Sequence, residues 1–258
     1  MSAFLTAEEE QTLFKIVTDL MIEAVRPSAT ALVSENDDDV RLGGSGTFIS
    51  VADRLIVLTC AHVTNCGGTD YGFYGSTRMF SGKGSVVQSS RIDVALIEVP
   101  FEVWRDNAAN AVAIPMESLG ASHDRVDNEL FFLMGFAGEN SRFAFESIEG
   151  TATGYCTQIN RDAPAERHFF SLYWKPGFIQ PTPGTDLEVA KYTRAEDPRG
   201  FSGACVWDTG FLRAYQAGRP WAPTDARIAG LVTSWDMTTE SLVARRIEDV
   251  REWILESL

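Results

Sequence analysis

The chain is poor in the residues that most often do chemistry near neutral pH. Only three histidines occur in its 258 residues, His62, His123 and His168, so imidazole bases are few. Cysteine is equally scarce. Cys60, Cys66, Cys156 and Cys205 are too few for a dense disulfide framework and are expected as reduced, mostly buried thiols. Lysine and arginine form no cluster and the formal charge is −14, which excludes a nucleic-acid backbone as the main ligand. No apolar run approaches the roughly 20 residues that span a bilayer, so no membrane segment is expected. The start, MSAFLTAEEEQTLFKIV, has neither a basic leader nor a small-residue cleavage site, which predicts no secretory signal and a cytoplasmic protein. Internal repeats are absent, and the 21 glycines and 10 prolines are scattered as turn punctuation.

What is present is an ordinary globular composition, 45% hydrophobic and 22% charged, in a chain long enough for a sizeable core. The acidity favours solubility and would speed encounters with basic polypeptides. Thr6 with Glu9 fits a capping box. Leu13, Val17, Leu20 and Ala24 then recur at helical spacing with Phe14 and Met21 beside them, until Pro27 stops the helix. The pattern next changes to short strands. SATALVSE precedes the charged turn NDDD, and GSGTFISV and RLIVLTCAHV flank the turn at Ala52, Asp53 and Arg54. IDVALIEV, the run around LFFLMGFAG, GACVWD and RIAGLVTSW continue the series, which predicts a sandwich or barrel. Ile247, Val250, Ile254 and Leu258 share one face of a closing helix.

Three residues stand in suggestive local contexts. His62 follows the apolar strand RLIVLTCA, at a strand end where scaffolds present reactive groups. His123 lies in a polar loop and His168 at the start of a strand, positions that suit solvated or rim residues. Asp93 opens a strongly apolar strand, and a carboxylate there needs a partner. Ser202 sits in RGFSGAC, where flanking glycines allow a tight exposed turn. Gly200 and Ser202 could aim two backbone N–H groups at one point, as an oxyanion hole requires. Taken singly, each has a bland structural reading. Together they form a His, Asp, Ser order with gaps of 31 and 109 residues. Cys205 is the rival nucleophile, but strand alternation in CVW favours burying it. Cys60, His62 and Cys66 lie close in sequence, yet tetrahedral zinc needs about four ligands and no second pair stands at suitable spacing. No metal and no cofactor is expected.

At these residues the chain resembles the chymotrypsin/trypsin-like serine peptidases, from about Ser28 to Leu258. GSGTFISVADRLIVLTCAHV is similar to the strand pair leading into the family's Thr-Ala-Ala-His. IDVALIEV is similar to its Asp-Ile-Ala-Leu strand, and GFSGACVW to its Gly-Asp-Ser-Gly-Gly loop. IAGLVTSWD resembles the cleft-lining Gly-Ile-Val-Ser-Trp-Gly strand, and VARRIEDVREWI the terminal strand and helix. The resemblance implies an all-β protein of two antiparallel six-stranded β-barrels. Residues 27–120 would form the first barrel and 121–258 the second with its C-terminal helix, with residues 1–26 as an added helical arm. It implies a serine endopeptidase acting through an acyl-enzyme, with His62 as general base, Asp93 as its orienting acid and Ser202 as nucleophile. Gly200 and Ser202 would supply the oxyanion-hole amides. Ser234, Trp235 and Asp236 would match the edge that pairs with the substrate backbone. Glu196, six residues before Ser202, matches the acid that selects Lys or Arg beside the scissile bond.

The departures also matter. Phe201 replaces the Asp that pairs with a new N-terminal amine in secreted members, which predicts no switch by N-terminal trimming. Ala204 replaces a glycine, and Asp236 stands where glycine is usual. The family's disulfide cysteines are not evident, a pattern that resembles bacterial-type intracellular members. Loop and cleft changes of this kind also suit a silent peptide-binding pseudoprotease, and the added N-terminal helix suits a latent protease activated by a partner. The partners expected are a polypeptide substrate and a regulatory protein reached through the apolar stripe of the N-terminal helix.

Overall fold

The computed structural model describes residues 7–36, 39–120, 127–144, 147–164, 166–174, 180–181 and 198–258. A first helix, α1 (Ala7–Val25), leads through a short 3-10 turn at Arg26–Ser28 into the strands. The first sheet is built from β1 (Ala29–Asn36), β2 (Asp39–Val51), β3 (Arg54–Thr59), β4 (Asp70–Gly72), β5 (Met79–Ser81), β6 (Val86–Ser89) and β7 (Val94–Val99). Its order is β5-β4-β1-β2-β3-β7-β6, with β8 (Ile114–Pro115) lying parallel beside β2. A short helix, α2 (Ala61–Asn65), follows β3. The second sheet holds β9 (Phe131–Ala144), β10 (Ser147–Thr157), β11 (Phe169–Tyr173), β12 (Gln180–Pro181), β13 (Cys205–Asp208), β14 (Arg227–Asp236) and β15 (Ser241–Arg246). Its order is β11-β15-β14-β13-β9-β10-β12. Both are curled antiparallel sheets, so the expected all-β pair is observed. Short edge strands carry each sheet past the six strands expected.

Alternation explains the long apolar runs. In β9, Phe132 and Met134 face the core shared with the first sheet, while Phe131 and Leu133 face a second cluster inside the curl of their own sheet. Both faces are therefore buried, and LFFLM reads as a continuous hydrophobic stretch. The C-terminal helix, Ile247–Ser257, buries Ile247, Val250 and Ile254 completely, as its periodicity predicts.

Helix α1 packs on β9 and β10 of the second sheet. Its buried face is rotated from the one expected. Val17, Thr18, Met21, Ile22 and Val25 are inside, whereas Leu20 is 39% exposed and Ala24 lies at the surface. The two stripes share Val17, and the sheet selects between them. Gly154 in β10 lacks the Cβ that would stand 2.4 Å from Ile22 Cγ1, so Ile22 fits against the strand and sets the helix rotation. The stripe at Val17, Met21, Ile22 and Val25 is thus covered by the chain's own second sheet. Thr6, the expected helix cap, lies outside the described residues. No described helix is long and apolar enough to cross a membrane.

Truncating Ile22 would leave a cavity beneath α1. Ile22→Ala is expected to cost about 2–5 kcal/mol in a urea or guanidinium titration, the range for large-to-small core changes.

Candidate active site

The pairing of β3 with β7 brings the first two candidates together. Thr59 stands opposite Ala95, so the end of β3 and the start of β7 lie at the same margin of the sheet. His62 is three residues beyond Thr59, in α2, and Asp93 is two residues before Ala95. The loop through β4, β5 and β6 accounts for the residues between them in sequence. Asp93 adopts a left-handed backbone, φ 55°, which Asp tolerates better than most residues. Its carboxylate then meets His62 twice. Oδ1 accepts the His62 backbone N–H at 3.0 Å, and Oδ2 faces His62 Nδ1 at 2.8 Å. The double contact fixes both the position of the ring and the nitrogen that carries its proton.

Asp93 lies below the ordinary carboxylate range. Burial pushes its pKa up, but the side-chain and backbone hydrogen bonds from His62, the charge of His62 and that of Arg245 together outweigh burial. The pair remains open to solvent, with side chains 45% exposed for His62 and 30% for Asp93.

Ser202 is the second residue of the later of two consecutive reverse turns that share Phe201. Phe201 N donates to Pro198 O at 3.0 Å, and Ala204 N donates to Phe201 O at 2.9 Å. The third position of each turn is a glycine with positive φ, Gly200 at 102° and Gly203 at 87°, as type II turns require. Gly203 N donates to Val232 O at 2.8 Å. Among the described residues, no acceptor meets the amides of Gly200 or Ser202. These two donors flank Phe201, whose own amide closes the first turn.

A set of hydrogen bonds holds this double turn against both sheets. Ser45 of β2 donates its backbone N–H to Ser202 O at 2.8 Å and its hydroxyl to Gly200 O at 2.6 Å. The same hydroxyl accepts Phe136 N of β9 at 2.9 Å. Thr59 Oγ1 donates to Ser45 O at 2.8 Å. A Cβ on Gly203 would stand 2.1 Å from Ser45 O and 2.3 Å from Thr59 Oγ1, so no other residue fits there without displacement. A Cβ on Gly44 would stand 2.8 Å from Ser202 O and 2.7 Å from Val63 Cγ2, so the Ser202 turn and the neighbour of His62 close on one glycine. Finally, Cys60 Sγ donates to Val232 O at 3.1 Å, the carbonyl that also receives Gly203 N. Sequence reasoning missed Ser45, Thr59 and Val232. The signal for Ser45 was available in Gly44-Ser45-Gly46, where two glycines mark close backbone approach.

Phe201 is 1% exposed and packs edge-on against Trp174 at 5.3 Å between ring centroids. The site holding it is apolar, bounded also by Gly135, whose Cβ would stand 2.8 Å from the Phe201 ring. Cys205 is buried in β13, and burial pushes its thiol up to about 12, partly offset by a hydrogen bond with Thr47. It is a packed strand residue with no thiolate at neutral pH. His168 Nδ1 meets Asp249 Oδ2 at 2.9 Å and ties β11 to the C-terminal helix. His123 and Glu196 lie outside the described residues.

Strand β13 pairs with β14 only as far as Cys205 opposite Leu231, and the ladder ends with Val232 and Ala204. Beyond it, one edge of β14 from Thr233 to Asp236 carries no strand among the described residues. A register shift between Val232 and Ser234 makes Thr233 the extra residue of a β-bulge, and Thr233 Oγ1 donates to Val243 O at 3.2 Å. Ser234 is exposed on this edge. Asp236 closes the end of β14. Its Oδ1 accepts Thr238 N at 2.8 Å and its Oδ2 accepts Thr239 Oγ1 at 2.8 Å, so the carboxylate caps the β14–β15 turn.

Cys60, His62 and Asp93 each present a metal-ligating atom within 4.8 Å of the others, the one such group among the described residues. Asp93 takes the place in this cluster that sequence proximity suggested for Cys66, which is exposed at the end of α2.

No family model and no curated protein sequence matches the chain. Solved structures do. The serine endoprotease from Yersinia pestis aligns with a TM-score of 0.55 and 14% identity, over 93% of this chain and 65% of that one. The active form of the Rv3671c protease from M. tuberculosis aligns with a TM-score of 0.50 and 15% identity, over 94% of this chain and 86% of that one. The chain has the chymotrypsin-like double-barrel fold. Within that fold, the His62–Asp93 pair belongs to the first sheet, the Ser202 turn precedes β13 of the second, and Ser45 bonds to elements of both.

Asp93 sits below its unfolded value, so its contribution to stability is full above the ordinary carboxylate pKa and is lost as pH falls through its lower folded value. Wild type should exceed Asp93→Asn in denaturant stability at neutral pH, with the gap closing below about pH 4. Phe201→Ala should cost about 3–5 kcal/mol in the same assay.

Proposed function

We propose that the protein is a serine endopeptidase in which His62, Asp93 and Ser202 form a catalytic triad. The observation that carries this reading is the doubly bonded His62–Asp93 pair, held in a chymotrypsin-like fold whose Ser202 turn offers two uncommitted amides. Ser202 Oγ attacks the substrate carbonyl while His62 Nε2 takes its proton. Asp93 keeps the remaining imidazole proton on Nδ1 and stabilises the imidazolium. The oxyanion is met by the amides of Gly200 and Ser202, which are oriented before the charge develops. His62 then gives its proton to the leaving amine, and water releases the acyl group through the same base.

The substrate joins the open edge of β14 as an added strand, pairing with the backbone of Ser234, Trp235 and Asp236. A role for Glu196 in favouring basic residues, by charge pairing, belongs to the same reading. Phe201 replaces the buried anionic anchor of zymogen-type members with an apolar one, and its packing against Trp174 supports activity that needs no N-terminal trimming. All four cysteines are free, which supports a reducing, cytoplasmic compartment.

The test is covalent labelling with a fluorophosphonate. Wild type should label under native conditions, Ser202→Ala should not label, and His62→Ala should slow labelling by orders of magnitude. Full labelling of Ser202→Ala would overturn the assignment. A folded wild type that never labels would instead mark a peptide-binding pseudoprotease.

A further inference from the structure

We propose that Cys60, His62 and Asp93 form a reversible binding site for a thiophilic divalent cation, Zn2+ foremost, and that its occupancy silences the site. Coordination itself is independent of the peptidase reading, whereas the silencing rests on it. The three ligand atoms lie within 4.8 Å of one another. Metal bonds of about 2.0–2.3 Å place tetrahedral neighbours about 3.3–3.8 Å apart. The widest separation must therefore close by about an ångström, while the hydrogen-bonded His62 Nδ1 and Asp93 Oδ2, now 2.8 Å apart, open by about half an ångström. One sulfur, one imidazole nitrogen and one carboxylate oxygen select zinc over magnesium or calcium. Three protein ligands leave a fourth position for water or substrate, as in reactive zinc sites.

The surroundings suit an ion arriving from outside. His62 and Asp93 are part-exposed, while Cys60 is fully buried and forms the floor. Without metal the Cys60 thiol is protonated, held up by burial and then by the Asp93 charge, and it donates to Val232 O. A divalent cation reverses that balance and takes the thiolate directly. Binding releases one proton, from Sγ, and Val232 O keeps the Gly203 N–H bond. Arg245 acts in two directions. Its charge favours ionised Cys60 and Asp93 but also opposes a cation, and Asp249 holds its guanidinium at 3.2 Å.

Silencing follows from the tautomer. Nδ1 is the nitrogen that faces Asp93. Coordination through Nδ1 moves the imidazole proton to Nε2, the nitrogen that must accept the Ser202 proton, and removes Asp93 from its orienting bond.

The experiment uses the full chain with Co2+ and Zn2+. Wild type and Cys66→Ala should show a thiolate-to-cobalt charge-transfer band. Cys60→Ala should lack it, and Cys60→Ser, which keeps a donor for Val232 O, should bind at least about tenfold more weakly. In parallel, saturating Zn2+ should reduce fluorophosphonate labelling of wild type at least tenfold, with recovery on EDTA. Cys60→Ser should require at least about tenfold more Zn2+ for the same loss. A wild type without the band, or a band that survives in Cys60→Ala, overturns the metal site. Labelling that is unmoved when the band is saturated overturns the silencing. A wild type that shows the Cys60-dependent band yet never labels upholds the metal site and overturns the peptidase reading.

Discussion

The Val232 carbonyl joins the two halves of the site. It accepts Gly203 N, the residue after Ser202, and Cys60 Sγ, two residues before His62. One oxygen of the second sheet therefore sets the Ser202 turn and the end of β3 at a fixed separation. Ser45 does the same from the first sheet, giving two donors to the Ser202 turn and accepting one from β9. Ser45, Cys60 and Val232 are buried, and leaving one of their polar groups unpaired costs its desolvation energy. The arrangement is rigid because leaving any one of them unmade is costly.

The apolar packing reinforces that polar joint. Phe201 lies between the amides of Gly200 and Ser202, and its ring is fixed in the second-sheet cluster by Trp174. A buried aromatic at the centre of the double turn anchors it in the core. The Phe201 ring does so without a charge of its own. The second sheet accommodates this because both of its faces are buried, one within its own curl and one against the first sheet and the terminal helices.

Much of the fold is legible in the sequence where one periodicity dominates. The strands around GSGTFISV, RLIVLT and VALIEV fall where alternation and turn residues put them, and Ile247, Val250 and Ile254 bury as one helical face. Helix α1 shows where periodicity stops being decisive. Two overlapping stripes satisfy the helical spacing, and only the gap left by Gly154 chooses the one with Ile22. Asp236 shows the same limit at the end of β14. Its partners, the Thr238 amide and the Thr239 hydroxyl, are set by the turn and not by strand alternation.

The sequence by itself determined the residue types and local conformations of the site. It supplied glycines for the two turns at Ser202, an apolar strand ahead of His62, and an Asp able to take a left-handed backbone before β7. Tertiary structure decided what those pieces meet. The contacts of Asp93 with His62, of Ser45 with Gly200, and of Val232 with Cys60 and Gly203 cross between strands remote in sequence. Such contacts are set by strand register, bulges and the fit of facing side chains, and register depends on both strands at once.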